Sequence, residues 1–180
     1  MGKPNHIIIV GGGTAGWMTA NLMANAWSKK DIKITVVESA KIGTIGVGEG
    51  STPYLRQFFR RLSIPESEWM PACHATFKCG ISFPDWSTNE GYQSYFHPFY
   101  SMIDAPNAPR FFENCNYRRH GHDVFAHPDD FFVTSALAKF RKSPIPISPP
   151  RKPVEYGYHF DAELLGKYLA KKAIERGVVH

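Results

Sequence analysis

An α/β fold, a parallel sheet with flanking helices, is predicted by three observations at the start of this chain. The apolar run Ile7-Ile8-Ile9-Val10 leads directly into Gly11-Gly12-Gly13-Thr14-Ala15-Gly16, a segment of small residues follows, and a second apolar run ends at Glu38. Strand, glycine-rich turn, helix and strand form the unit from which Rossmann-like sheets are built. In that unit each glycine has a separate task. Gly11 permits a turn too tight for a side chain, Gly13 lets the backbone approach a pyrophosphate, and Gly16 lets the helix pack closely on the strand. The helix that starts at this turn aims unpaired N–H groups and a partial positive charge at a phosphate. Glu38 lies 22 positions after Gly16, at the end of the second strand, where a carboxylate reaches a ribose hydroxyl pair.

The helix of this unit carries Thr19, Ala20, Leu22, Met23, Ala24 and Ala26. Residues 39–53 follow, rich in Gly43, Gly46, Gly48 and Gly50, and read as a loop with almost no side chain long enough to build regular structure. Two short helices come next. Residues 54–62 place Leu55, Phe58, Phe59 and Leu62 on one side, and Pro65 opens a second start before Glu66. From Thr76 the pattern changes to alternation, with Phe77, Cys79, Ile81 and Phe83 on one face and Lys78, Gly80 and Ser82 on the other. That is the signature of a half-buried strand, so Lys78 projects from its second face.

Aromatic residues Tyr92, Tyr95, Phe96, Phe99 and Tyr100 read as strand or irregular lining, followed by helices over 109–118 and 128–141. Five prolines within 143–153 cannot donate ladder hydrogen bonds and predict an extended loop. A short strand over 156–160 then leads to Asp161, a helix cap. Ala162, Leu165, Tyr168, Leu169, Ala173 and Ile174 mark that helix's apolar face, and Gly177 stops it. Val178-Val179-His180 begins what reads as a further parallel strand. Such a strand needs neighbours and helices on both faces, so the chain is expected to be a fragment with an incomplete sheet.

Composition narrows the function classes. The chain has 180 residues, 43% hydrophobic, 21% charged and 14% aromatic, an ordinary soluble balance with a high aromatic share. Its net charge of +5 is spread over short pairs such as Arg60-Arg61 and Lys171-Lys172, with no arginine stripe, which argues against nucleic acid. No apolar run approaches the roughly 18 residues of a membrane span, and no signal-peptide core is present, so a cytoplasmic location without a membrane partner is expected. Cys73, Cys79 and Cys115 are odd in number and loosely spaced, as reduced thiols are. With His74, His120, His122 and His127 they repeat no finger or ribbon spacing, so no metal site is expected.

Four stretches, in order, resemble the flavin-dependent tryptophan halogenases. These are Gly13-Thr14-Ala15-Gly16-Trp17, Ile45-Gly46-Val47-Gly48-Glu49-Gly50-Ser51-Thr52-Pro53, the strand from Ala75 to Phe83 before Asp85-Trp86, and Tyr158-His159-Phe160-Asp161-Ala162. The first is shared by many flavoproteins; the other three together are specific. The resemblance implies a GR2-type FAD-binding fold, with 1–53 as nucleotide cradle and flavin strap, 54–157 as an insertion carrying the lysine strand and substrate-side helices, and 158–180 returning to the FAD-binding sheet. It implies that reduced FAD, oxygen and halide give hypohalous acid, relayed through Lys78 to an electron-rich aromatic such as tryptophan or another indole. Lys78 matches the family's catalytic lysine. An ammonium can hydrogen-bond hypohalous acid and polarise it, and a free amine can be halogenated to a haloamine.

By the same resemblance Gly48 and Gly50 allow the strap's backbone to approach the isoalloxazine, while Ser51 and Thr52 offer hydrogen bonds to the cofactor. The cofactor-binding set is thus Gly11, Gly13, Thr14, Ala15, Gly16, Glu38, Gly48, Gly50, Ser51 and Thr52. The role of Glu49 stays open between cofactor hydroxyls and capping of the Ser51 and Thr52 amides. The family's tryptophan-pair signature with a following Ile-Pro is not in this sequence, nor are its glutamate partner for the lysine and its halide-binding backbone. With one dinucleotide motif present, a separate NADH-dependent flavin reductase is the implied partner. Two other readings remain: a related FAD-dependent monooxygenase or oxidoreductase, in which Lys78 has no purpose, and a non-catalytic nucleotide-binding remnant.

Overall fold

A computed structural model describes residues 4–43, 48–148 and 152–180. The chain divides into two units. The first comprises residues 1–50, 57–76 and 159–180, and the second residues 51–56 and 77–158.

In the first unit, β1 (His6–Val10) and β2 (Lys33–Val37) pair in parallel, His6 opposite Lys33 and Val10 opposite Val37. Helix α1 (Thr14–Ala26) makes the crossover between them. Beyond β2, Val179 adds a parallel bridge to Thr35, fixed by Val36 N donating to Val179 O at 2.8 Å and Val179 N to Ile34 O at 2.9 Å. The predicted parallel arrangement is therefore present. α1 packs on α6 (Ala162–Glu175), whose N-terminus is capped as expected by Asp161, its Oδ1 accepting from Leu164 N at 2.9 Å. The core between them buries Trp17, Ala20, Ala24, Leu165, Leu169 and Ala173. One polar group lies within it. Fully buried Asn21 donates to the Trp17 and Leu169 carbonyls and accepts from Arg176 Nη1 at 2.8 Å.

Helix α2 (Tyr54–Arg61) ends in this unit, and α3 (Glu66–Ala72) lies wholly within it, with Phe59 stacked on buried Trp69 at 4.1 Å. The glycine-rich loop departs from expectation. Gly48–Gly50 forms β3, paired antiparallel with the end of β7 (Gly157–Asp161), because open backbone without side chains can lie against a strand as readily as it can turn. Gly46 and its neighbours from 44 to 47 lie outside the described residues. Ile174, expected on the apolar face of α6, is 48% exposed.

In the second unit the alternating stretch is two strands, β4 (Thr76–Lys78) and β5 (Gly80–Phe83), where one was expected. The ladder breaks at Cys79, whose carbonyl takes the Phe99 N–H at 3.1 Å. Gly80, predicted on the outer face, is buried, and a Cβ there would overlap the His97 carbonyl and the Phe96 ring. Backbone proximity has overridden the alternation. β5 pairs antiparallel with β6 (Tyr95–Pro98). Helix α4 (Ala108–Arg119) stands as predicted; the helix expected over 128–141 is a single 3₁₀ turn followed by α5 (Val133–Lys139). Buried Asp104 joins these pieces, accepting from Ser101 N at 2.9 Å and Val133 N at 2.8 Å. The described prolines of 143–153 build no regular element, while Pro149 and Pro150 lie outside the described residues. No described helix is long and apolar enough to cross a membrane.

Candidate functional site

The first unit holds an open cleft of about 720 Å³ at the carboxyl ends of β1 and β2. Among the described residues it is lined by Val10 through Ala15, by Val37, Glu38 and Ser39, and by Ile42, Gly43 and Glu49. The size falls within the roughly 300–1,000 Å³ of small-molecule sites. Its place, where β1 hands over to a helix N-terminus, is where open α/β sheets bind ligands.

Each sequence-predicted residue of the cradle can now be placed. Gly11 adopts φ +114°, which a side chain would strain, and donates its N–H to the Val37 carbonyl at 2.8 Å, so the turn is locked to β2. At Gly13 a Cβ would project into open space, which is the room a phosphate needs against bare main chain. At Gly16 a Cβ would overlap the Gly11 carbonyl, so only glycine lets α1 start this close to the turn. No side chain caps α1 and its first turn carries no acidic residue. The orphan N–H groups beside Thr14 and Ala15 are left for whatever occupies the cleft, and the dipole there favours an anion.

Glu38 projects over the middle glycine of the turn. An ideal Cβ on Gly12 would meet its carboxylate, the far end of a flexible side chain that can turn aside. The closeness of Gly12 to Glu38 was not read from the sequence. Glu38 Oε1 also lies 2.8 Å from His180 Nε2. A second cleft of about 610 Å³ adjoins Glu38 and is walled by Gly12, Trp17, Ala40, Gly166, Lys167 and His180 among others. His180 was likewise not singled out from sequence.

The strap residues separate. Gly48 and Gly50 belong to β3 and the first unit, with Gly48 exposed and nothing near its Cβ position. Ser51 and Thr52 belong to the second unit. Ser51 pairs with Tyr158 twice, N–H to carbonyl at 2.8 Å and Oγ accepting from Tyr158 N at 3.0 Å. Gly157 beside it has no room for a Cβ, which would overlap the Ser51 carbonyl. Ser51 therefore anchors β7 and retains its own hydroxyl proton for another acceptor. Lys78, at the end of β4, is half-buried, with Nζ 5.9 Å from the centroid of the buried Phe99 ring. An ammonium over an aromatic face is held by the ring quadrupole without losing its donors.

A parallel β-α-β unit, a glycine-rich turn beside an acid, and an uncapped helix facing a cleft define a Rossmann-type α/β fold. The comparisons narrow this class. The family model described as tryptophan halogenase matches residues 6–180, and the chain belongs to that family. It is 34% identical to tryptophan 6-halogenase SttH of Streptomyces toxytricini over 99% of this chain and 37% of the relative. Against tryptophan 7-halogenase RebH of Lentzea aerocolonigenes it is also 34% identical, over 99% of this chain and 36% of the relative. Among solved structures, Xcc4156, a flavin-dependent halogenase from Xanthomonas campestris, superposes with a TM-score of 0.76 at 33% identity, covering 97% of this chain and 34% of that one. The chain thus spans little more than a third of the length of these relatives.

Proposed function

We propose that this chain carries the FAD-binding cradle and the reactive lysine of a flavin-dependent halogenase acting on tryptophan or another indole. The observation that carries the proposal is the cleft of the first unit, where Gly13 leaves space against bare backbone, α1 has no cap of its own, and Glu38 lines the wall beside Gly12. These residues fit the diphosphate and ribose of FAD. First-turn N–H groups take the pyrophosphate, and Glu38 accepts from the ribose hydroxyls. The proposal assigns to Gly48 and Gly50 backbone approach to the flavin and to Ser51 and Thr52 hydrogen bonds to the cofactor. It also divides the chain as cradle and strap over 1–53, lysine-bearing insertion over 54–157, and return to the cofactor sheet over 158–180.

When bound, the flavin supplies the redox chemistry by which oxygen and halide become hypohalous acid. Lys78 then acts on that acid. Its ammonium donates a hydrogen bond to the hypohalous oxygen and draws electron density from the halogen. The aromatic carbon takes the halogen as the O–X bond breaks; the oxygen leaves as water, having gained one proton, and the ring carbon loses one. The names of the relatives, tryptophan 6- and 7-halogenases, support an indole as acceptor. Reducing equivalents are proposed to come from a separate NADH-dependent flavin reductase, in keeping with one dinucleotide motif in these 180 residues.

The test is made on the protein carrying these residues, with FAD, a reductase, halide and tryptophan. Gly13→Val is expected to abolish FAD binding, since its side chain enters the cleft; retention of bound flavin overturns the cradle. Lys78→Ala is expected to stop halogenation while flavin oxidation and peroxide release continue. Unchanged product formation removes Lys78 from the reaction.

A further inference from the structure

We propose that His180 is a positioning residue that sets the Glu38 carboxylate for the 2′-hydroxyl of the bound nucleotide's ribose; the proposal rests on the reading of the cleft as a dinucleotide site. Glu38 is common to both clefts of the first unit. It therefore stands where a ligand extending from the helix N-terminus passes into the space walled by Trp17, Ala40 and His180.

The carboxylate is held by His180 and overlies Gly12. Oε1 lies 2.8 Å from His180 Nε2, and since a carboxylate has no proton to give, the ring nitrogen is the donor. Oε2 lies over Gly12, where no Cβ exists to displace it. His180 is itself placed rather than free. Its ring meets Trp17 edge-on, with centroids 5.1 Å apart and planes at 81°, and Trp17 is only 2% exposed. Its backbone neighbour Val179 is hydrogen-bonded into β2 in both directions, and Val178 is buried. The sheet thus delivers the imidazole to the acid.

Stability does not account for this arrangement. The two side chains are 46% and 29% exposed, and a pair this open to solvent contributes little to stability. Recognition does account for it. With one oxygen oriented by His180, the remaining lone pairs point in fixed directions, and a ribose hydroxyl entering the junction meets a carboxylate that need not be reoriented. Covering by the ligand excludes water and strengthens both hydrogen bonds.

The probes are ADP and 2′-deoxy-ADP, which share diphosphate and base and differ in the one hydroxyl, titrated calorimetrically into wild type, His180→Phe and His180→Gln. Phe keeps a ring against Trp17 and removes the donor; Gln keeps a donor. Wild type is expected to prefer ADP by roughly tenfold, the worth of one hydrogen bond to a charged group. His180→Phe is expected to bring that preference to about threefold or less while leaving 2′-deoxy-ADP binding within about twofold, and His180→Gln to retain most of it. A Phe variant with the wild-type preference overturns the proposal, and so does one that weakens both nucleotides equally, the result of a purely structural role. A wild type that binds ADP no better than Gly13→Val does overturns the dinucleotide reading, and this proposal with it. Failure of the Phe variant alone leaves that reading standing.

Discussion

Asn21 on α1 donates Nδ2 to the backbone carbonyl of Leu169 on α6 at 2.8 Å, joining two helices 148 positions apart through a side chain with no solvent exposure. Its second amide proton goes to Trp17 O and its oxygen accepts from Arg176, whose other nitrogen reaches Leu62 O at 3.1 Å. Every polar atom of the amide is satisfied.

Replacing Asn21 by Leu removes the buried donor to the Leu169 carbonyl and one acceptor of the Arg176 guanidinium, which keeps Lys172 O and Leu62 O. Thermal or urea unfolding should report a loss of roughly 1–3 kcal/mol, the range for buried polar groups left unpaired. A change under about 0.5 kcal/mol would show that the network is dispensable.

Gly16→Ala introduces a methyl group into the Gly11 carbonyl. Either α1 or the turn must shift, and the turn is the one tied to Val37 by a single hydrogen bond. Weaker nucleotide binding with a smaller loss of stability is expected, by roughly tenfold or more in affinity. Calorimetry and melting temperature on the same variant separate the two effects.

Glu68 carries a pH-dependent contribution. A hydrogen bond from Lys172, aided by one from the Tyr168 hydroxyl, holds its carboxyl below the ordinary value of 4.5. A depressed folded-state value means stability that is present above the unfolded value and lost as pH falls through the folded one. The melting temperature of wild type should exceed that of Glu68→Gln at neutral pH, and the gap should close as pH drops below 4.5. A gap that is constant with pH would assign the effect to packing.

Cys73 is fully buried, and burial, with a smaller effect from the Asp161 charge, pushes its thiol up to about 11. Alkylation by iodoacetamide at pH 8 should therefore track unfolding of the first unit, with rapid modification only in denaturant. Fast labelling of the folded protein at Cys73 would contradict the packing described.

The legibility of these features in the sequence follows their range. The β1-α1-β2 unit, the tight turn at Gly11, the close packing at Gly16 and the Asp161 cap were readable because each depends on neighbours within one turn or one crossover. The single strand expected from Thr76 failed for the opposite reason. Gly80 is buried by His97 and Phe96, residues brought to it only by the β5–β6 pairing, and no local pattern announces that contact. The same holds at the candidate site. The place of Glu38 directly after β2 was legible from its spacing, whereas His180 reaches it through a sheet position that is known only once Val179 lies beside Thr35. Ser51 shows how a hydroxyl in a glycine-rich stretch, read for a cofactor, is also engaged by a distant backbone N–H.

The bare start of α1 ties the fold to its surroundings. On the proposed reading of the cleft, the start of α1, whose opening amides have no side-chain acceptor, would be finished by the phosphate it binds, and the ligand would then serve as a missing piece of the polypeptide's own hydrogen bonding. Mass action then makes unfolding rarer as that molecule becomes more abundant. The protein's persistence in a cell, and its resistance to proteases, would rise and fall with the local supply of the nucleotide.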